Sequence, residues 1–151
     1  MVIAKDLPSK RNELVKYIEN GGCGLAICGG YQLLGKYYET AHGERIEGLG
    51  ALPHITKRQI DNRFIGDIEI YNEHFDETYI GFENHNGRTF LGPGEEPLGI
   101  VKVGFGNNGE DGTEGAIYKN IFCSYFHGPL LVRNRHLAER IIKKAIINAK
   151  K

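Results

Sequence analysis

Leu14, Tyr17 and Ile18 recur at i, i+3 and i+4 in KRNELVKYIEN, and the polar residues between them predict a short amphipathic helix starting after Pro8 and Ser9. Gly21 and Gly22 predict its end. CGLAI follows, short, apolar and small, which predicts a buried strand. Cys28-Gly29-Gly30 closes that strand, and YQLLGKYYE reads as a helix that begins at once. The predicted order is strand, sharp turn, helix. From about Gly43 to Val103 the pattern changes to short runs; GDIEIY, TYIGFE, RTFLG and LGIVKV predict strands. GFGNNGEDGTEG predicts a loop, and GAIYKN and IFCSYF two further strands, the second ended by His127-Gly128-Pro129. HLAERIIKKAIINAKK predicts a closing basic amphipathic helix with Leu137, Ile141, Ile142, Ala145 and Ile146 on one side. No internal repeat, low-complexity segment or linker interrupts this pattern. It predicts an α/β fold in one domain over residues 1-151.

The bulk composition narrows the function. Lysine plus arginine equals aspartate plus glutamate, 19 of each, so no long-range field favours nucleic acid or an anionic membrane. No apolar run approaches the length that crosses a bilayer, and MVIAKDLPSKRNELVKYIEN lacks a signal peptide's order of basic, apolar and small residues. The expected compartment is the cytoplasm, where the three cysteines read as thiols. Twenty-one glycines cluster at 21-30, 43-50, 87-99 and 104-115, which predicts many tight turns.

The most informative stretch is G-L-A-I-C-G-G-Y-Q. A nucleophile between a strand and a helix is pushed out of the sheet by a tight turn that small neighbours permit. The helix N-terminus behind it favours thiolate, and the N–H of Gly29 points where a tetrahedral oxyanion would form. A buried cysteine in a glycine-rich turn is the plain alternative. A catalytic cysteine needs a base. Of six histidines (His42, His54, His74, His85, His127 and His136), His127 is best placed, at the end of an apolar strand and ahead of Gly-Pro.

At these residues the chain resembles class I glutamine amidotransferases of the cobyric-acid-synthase-like branch. Within that branch it is similar to the glutaminase subunits of lipid II isoglutaminyl synthases. The matching stretches are ICGGYQLLGKYY, GERIEGLGALP, NRFIGDIEI, IGFENHNGRT, GFGNNGEDGTEG and YKNIFCSYFHGPLL, from about residue 12 to residue 135. The resemblance implies a flavodoxin-like sheet flanked by helices, with cysteine–histidine glutaminase chemistry on Cys28 and His127. It implies that Arg63 holds the substrate glutamine and that Gln32 borders the pocket. It implies no cofactor in this chain. Ammonia would pass to a Mur-ligase-like (MurT-like) synthetase subunit in a heterodimer, with ATP and Mg on that partner, to amidate the D-glutamate of the lipid II stem peptide in peptidoglycan synthesis.

The chain departs from the family pattern in three places. Ala26 stands where many members have the first elbow glycine, a change shared by one branch. Pro129 stands two residues after the histidine, where many members have a triad glutamate; Glu83, in F-E-N-H, is the candidate orienting acid, beside the plainer reading of a structural carboxylate. Family members also carry β/α units ahead of the first helix seen here, including a glycine-rich loop with the second oxyanion donor. The chain therefore reads as N-terminally truncated or as a shorter variant, and is expected to be poorly active alone, with CGLAI an exposed edge. A cobyric or cobyrinic type of amidotransferase, a peptidase-like or deglycase-like relative with the same elbow, and an inactive fragment or binding subunit remain alternatives.

Other signals carry less. Gly104-Phe-Gly-Asn-Asn-Gly109 fits G-x-G-x-x-G, but EDGTEG does not start the helix a pyrophosphate site requires. Cys23, Cys123, His85 and His127 lack paired ligand spacing, although Cys123 and His127 would share a face of one strand, so no metal site is expected. Cys23 is expected to be buried and inert. Lys143, Lys144, Lys150 and Lys151 read as a solvated helix face.

Overall fold

The computed structural model describes residues 3–151, with side chains from residue 8 onward. Met1 and Val2, at the front of the stretch read for a signal sequence, lie outside the described residues. The chain runs α1 (Ile3–Glu19), β1 (Gly24–Ile27), α2 (Gly29–Leu34), β2 (Tyr37–Glu39), β3 (Arg45–Glu47), β4 (Ile55–Arg58), β5 (Phe64–Asn72) and β6 (Glu77–His85). It continues through β7 (Gly87–Phe90), β8 (Gly99–Val103), β9 (Thr113–Glu114), β10 (Ala116–Tyr118), β11 (Ile121–Ser124), β12 (Phe126–His127), α3 (Leu130–Arg133) and α4 (Arg135–Ala149). The expected α/β class holds.

The strands form three sheets, ordered β1-β11-β10, β12-β6-β5-β8-β9 and β3-β2-β4-β7. β1 runs parallel to β11 with Ile27 opposite Ser124, and β2 runs parallel to β4; the other pairings are antiparallel. The β5–β6 hairpin forms the centre of the five-stranded sheet. One apolar cluster (Ile68, Ile70, Tyr79, Leu98, Phe122, Phe126, Leu130 and Leu137) joins that hairpin to α3 and α4. A second (Ile18, Tyr31, Leu52, Ala116, Ile121, Cys123 and Tyr125) packs α1 and α2 on the three-stranded sheet.

The helix α1 ends as its glycines predict. Gly21 adopts φ 85°, its N–H donates to Ile18 O at 3.0 Å, and the Gly22 N–H reaches back to Tyr17 O at 2.8 Å. This is the paired closure that satisfies the last helical carbonyls with one left-handed residue. At its front the helix begins earlier than expected, at Ile3, and passes through Pro8.

Three other expectations need correction. YQLLGKYYE is not one helix: α2 stops at Leu34, and Tyr37–Glu39 is a strand. Gly35 marks the break, since its carbonyl accepts the Gly50 N–H at 2.8 Å and the aromatic β-formers beyond it pair with β3 and β4. IFCSYF is two strands in two different sheets, split at Tyr125. The α4 stripe is buried only at its start: Leu137 is fully enclosed, while Ile142 and Ile146 are 55% and 50% exposed. No helix among the described residues is long and apolar enough to cross a membrane.

Candidate active site

Cys28 sits between β1 and α2 with φ 50° and ψ −105°. Such a conformation costs a non-glycine residue about 1–3 kcal/mol, and its surroundings hold it. The Cys28 N–H donates to Ser124 O at 2.9 Å, while Cys28 O accepts the Gln32 N–H at 3.1 Å as the first turn of α2. Gly29 and Gly30 are exposed, and a side-chain carbon at Gly29 would meet nothing within 4 Å. These glycines keep the approach to the sulfur open. Ala26 fits in place of an elbow glycine because the residue facing its methyl group is Gly30, where an added carbon would lie an ordinary 3.8 Å away.

Burial raises the Cys28 thiol above its usual range, and the Gly29 N–H and the Arg63 guanidinium act against that rise. The expected thiolate bias from the helix is therefore outweighed by desolvation; α2 has only 6 residues and a correspondingly small dipole. Arg63, exposed just ahead of β5, donates from Nε to Asn84 Oδ1 and is close enough to Cys28 to act on its charge. Gln32 donates from Nε2 to Tyr125 Oη at 3.1 Å. Tyr125 in turn bonds Thr89 Oγ1 at 2.6 Å, and Thr89 bonds Thr56 at 2.8 Å.

His127 ends β12, opposite Phe82 of β6, and Gly128 follows at φ 69°. Its Nε2 is buried and has no hydrogen-bond partner among the described residues. Cys28 and His127 are thus linked through one short stretch: the elbow hangs from Ser124, and the histidine follows three residues later. Glu83 is placed otherwise. It pairs with Phe126, and cross-strand partners share a face, so Glu83 and His127 lie on opposite faces of the sheet. The Glu83 carboxylate is fully buried and accepts the N–H groups of Phe105 at 2.7 Å and Gly106 at 3.0 Å, with His85 Nε2 at 3.2 Å. This arrangement is that of a structural carboxylate.

The remaining candidates are also located. The glycine loop 104-109 leads into the strand β9, and its Asn107 accepts the Tyr31 hydroxyl at 3.1 Å and the Gly115 N–H at 2.9 Å, so the loop braces α2. Cys123 is buried in the three-stranded sheet, whereas His127 belongs to the five-stranded one, so the shared strand face does not exist. Among the described residues, no three histidine, cysteine or acidic side chains gather as metal ligands. Cys23 is only partly buried, and its Sγ bonds Ile141 O at 3.4 Å. Lys144 reaches Asn120 Oδ1 at 3.2 Å while Lys143 is exposed.

Two buried polar groups escape a reading of the sequence. His54 and Glu95 form an enclosed pair behind α2, with His54 Nε2 donating to Tyr31 O at 2.8 Å. Glu114 lies fully buried under the break at Tyr125, accepting the Tyr125 N–H at 2.7 Å. The one available signal for Glu114 was a carboxylate set directly before a run of apolar strands.

A family model for CobB/CobQ-like glutamine amidotransferase domains matches residues 2–135. The chain belongs to this family. Among curated members it is 59% identical over 145 residues to the GatD subunit of the glutamine-hydrolysing lipid II isoglutaminyl synthase of Streptococcus pneumoniae, covering 96% of this chain and 56% of that protein. It is 46% identical over 141 residues to GatD of Staphylococcus aureus, covering 93% and 56%. A probable cobyric acid synthase of Methanococcus maripaludis is 39% identical over 130 residues, with 78% of this chain and 25% of that protein covered. The chain thus spans little more than half the length of the two GatD proteins. Among solved structures, a glutamine amidotransferase superposes with TM-score 0.60 at 22% identity, covering 89% of this chain and 67% of the other. Another, from Thermotoga maritima, gives TM-score 0.50 at 17% identity, covering 92% and 56%. These two share the glutamine amidotransferase fold.

Proposed function

We propose that this chain carries the glutamine-hydrolysing chemistry of a lipid II isoglutaminyl synthase, with Cys28 as nucleophile. The observation that carries the reading is the strained elbow at Cys28, whose thiol feels the neighbouring Gly29 N–H and the Arg63 guanidinium, both of which favour its charged form. The 59% identity to a GatD subunit supports the substrate and the pathway.

In this mechanism Arg63 holds the α-carboxylate of glutamine, since a guanidinium fork matches a carboxylate, and Gln32 borders the pocket through its bond to Tyr125. His127 takes the Cys28 proton as the site closes on glutamine, its buried Nε2 being bonded in the resting chain to nothing among the described residues, Cys28 included, and the thiolate attacks the side-chain amide carbon. The oxyanion accepts the Gly29 N–H. His127 returns the proton to the leaving nitrogen, which departs as ammonia and leaves a thioester. Water, deprotonated by His127, then adds to the thioester, and glutamate and the Cys28 thiol are released. No metal or cofactor enters these steps. The ammonia is handed to an ATP- and Mg-dependent, Mur-ligase-like partner subunit that amidates the stem-peptide D-glutamate of lipid II in the cytoplasm. Ammonia transfer to a corrinoid acid is the second reading, favoured by the likeness to the archaeal cobyric acid synthase.

The test uses the full-length chain with its synthetase. Cys28→Ser and His127→Ala should abolish glutamine-dependent amidation of lipid II, while free ammonium still serves as nitrogen donor. Continued use of glutamine by Cys28→Ser, or transfer to a corrinoid acid but not to lipid II, would overturn the reading.

A further inference from the structure

Between Ser124 and Phe126 the chain leaves the sheet that carries the elbow strand and enters the sheet that carries His127. At such a crossing the ladders are interrupted, and buried N–H groups need other acceptors. The Tyr125 N–H donates to Glu114 Oε1 at 2.7 Å. The Phe126 N–H donates to Ser124 Oγ at 3.0 Å. That hydroxyl itself donates to Glu114, 3.2 Å from Oε2 and 3.3 Å from Oε1. One carboxyl group therefore gathers both orphan donors, the second through a serine. The Ser124 carbonyl, on the same residue, holds the Cys28 N–H at 2.9 Å, and Phe126 is bonded directly to His127 in the chain.

Gly115 explains how a glutamate comes so close. It adopts φ 67°, and a side-chain carbon there would lie 2.4 Å from the Cys123 carbonyl. No other residue type lets the end of β9 rest against β11, so Glu114 is delivered beneath the crossing by the backbone itself.

We propose that Glu114 is a positioning residue, which fixes the distance between the nucleophile Cys28 and the base His127 by holding the crossing at residues 124 to 126. This rests on the glutaminase reading above. Glu114 touches neither substrate nor sulfur, and Arg63 and Gln32 are held by Asn84 and Tyr125 side chains. Its loss therefore acts mainly on the chemical step; Gln32, which hangs from the Tyr125 whose N–H Glu114 holds, is the one pocket residue it also reaches. A misplacement of about 1 Å in a reacting pair costs about a hundredfold in rate.

The experiment compares Glu114→Ala and Glu114→Gln in the full-length chain with its synthetase. The expected result is a fall in kcat for glutamine hydrolysis of about a hundredfold in Glu114→Ala, with KM changed no more than severalfold. Glu114→Gln should recover most of kcat, because its carbonyl still accepts the Tyr125 N–H. If Glu114→Ala does not fold, Ser124→Ala removes the serine arm alone and should show the same selective loss in kcat. A folded Glu114→Ala or Ser124→Ala enzyme with unchanged kcat, or a rise in KM matching the fall in kcat, overturns the proposal. Should the wild type not hydrolyse glutamine, the glutaminase reading falls. Glu114 is then judged by alkylation of Cys28 with iodoacetamide, whose rate should differ severalfold between wild type and Glu114→Ala; equal rates overturn it.

Discussion

His54 Nδ1 and Glu95 Oε1 meet at 2.5 Å, with neither side chain reaching solvent. The pair completes a helix that is too short to complete itself. In α2 the Gly35 N–H turns back to Gln32 O, which leaves the Tyr31 carbonyl without its helical donor. His54 Nε2 fills that place at 2.8 Å, and Glu95 is itself fixed by the Gly92 N–H at 2.9 Å. The elbow helix is thus braced from behind by a buried polar relay.

Removing His54 should be costly. His54→Ala leaves a carboxylate buried and a carbonyl unpaired, and breaking a buried pair from one side costs about 3–5 kcal/mol. Urea unfolding of the variant should show a loss of that order. A loss below about 1 kcal/mol would show that the relay is dispensable.

The three cysteines should differ sharply in reactivity. Cys28 is partly open, whereas Cys123 is buried and its thiol is pushed up by desolvation, with Glu95 and Glu114 adding to the rise. A glutamine-like electrophile should label Cys28 alone, as read by peptide mass mapping. Cys23→Ser and Cys123→Ser should keep most of the activity, and labelling centred on Cys123 would contradict the assignment.

Arg63 should act twice, on substrate and on sulfur. Arg63→Lys loses the fork and should weaken glutamine use by roughly 1.5–3 kcal/mol, the range for a charge-assisted bond. Arg63→Ala also removes a cation that holds the Cys28 thiol down, so less thiolate is present at neutral pH and iodoacetamide should react more slowly. An unchanged alkylation rate would separate Arg63 from the nucleophile.

Glu114 should leave a mark on the pH dependence of stability. Burial pushes its carboxyl up to about 8, against the pull of the Tyr125 N–H and the Ser124 hydroxyl, and the charge of Glu83 adds to the rise. The folded chain then holds a proton that the unfolded chain, titrating near the ordinary value of 4.5, has released. Stability from this group is therefore full below about pH 4.5 and is lost as pH rises through about 8. Each unit of rise corresponds to about 1.4 kcal/mol. Urea midpoints should fall between pH 5 and pH 8 less steeply in Glu114→Gln than in the wild type; equal slopes would remove Glu114 from the titration.

Local pattern in the sequence reached the elements whose own residues decide them. Leu14, Tyr17 and Ile18 mark α1, alternation marks the β5–β6 hairpin, and the small residues around Cys28 mark the elbow. Where tertiary contacts decide, pattern failed. Tyr37 and Tyr38 continue an apolar run that suits either a helix or a strand, and pairing with β3 and β4 selects the strand. IFCSYF gives no sign of a sheet change, because the break at Tyr125 is made by Glu114, eleven residues upstream. Cys28 and Gly29 were singled out by the elbow motif, and Arg63 and Gln32 only by the resemblance to the family. His54, Glu95 and Glu114 were not, because a buried polar group looks like any other polar residue until its partners are known. Glu83 was named from the F-E-N-H stretch alone, beside the plainer reading of a structural carboxylate, and strand parity sets it on the face opposite His127.

The split at Tyr125 also sets a limit on durability. The Cys28 amide hydrogen is locked by a bond to β11 in the three-stranded sheet, whereas His127 is carried by the pairing of β12 with β6 in the five-stranded one. Proteins open in cooperative units of unequal stability, and separate ladders are natural units of that kind. The proposed Cys28–His127 pair requires both to be closed at once. Its lifetime is therefore set by whichever ladder opens more readily, and amide exchange at β1 and at β12 would reveal which of the two is the weaker clasp.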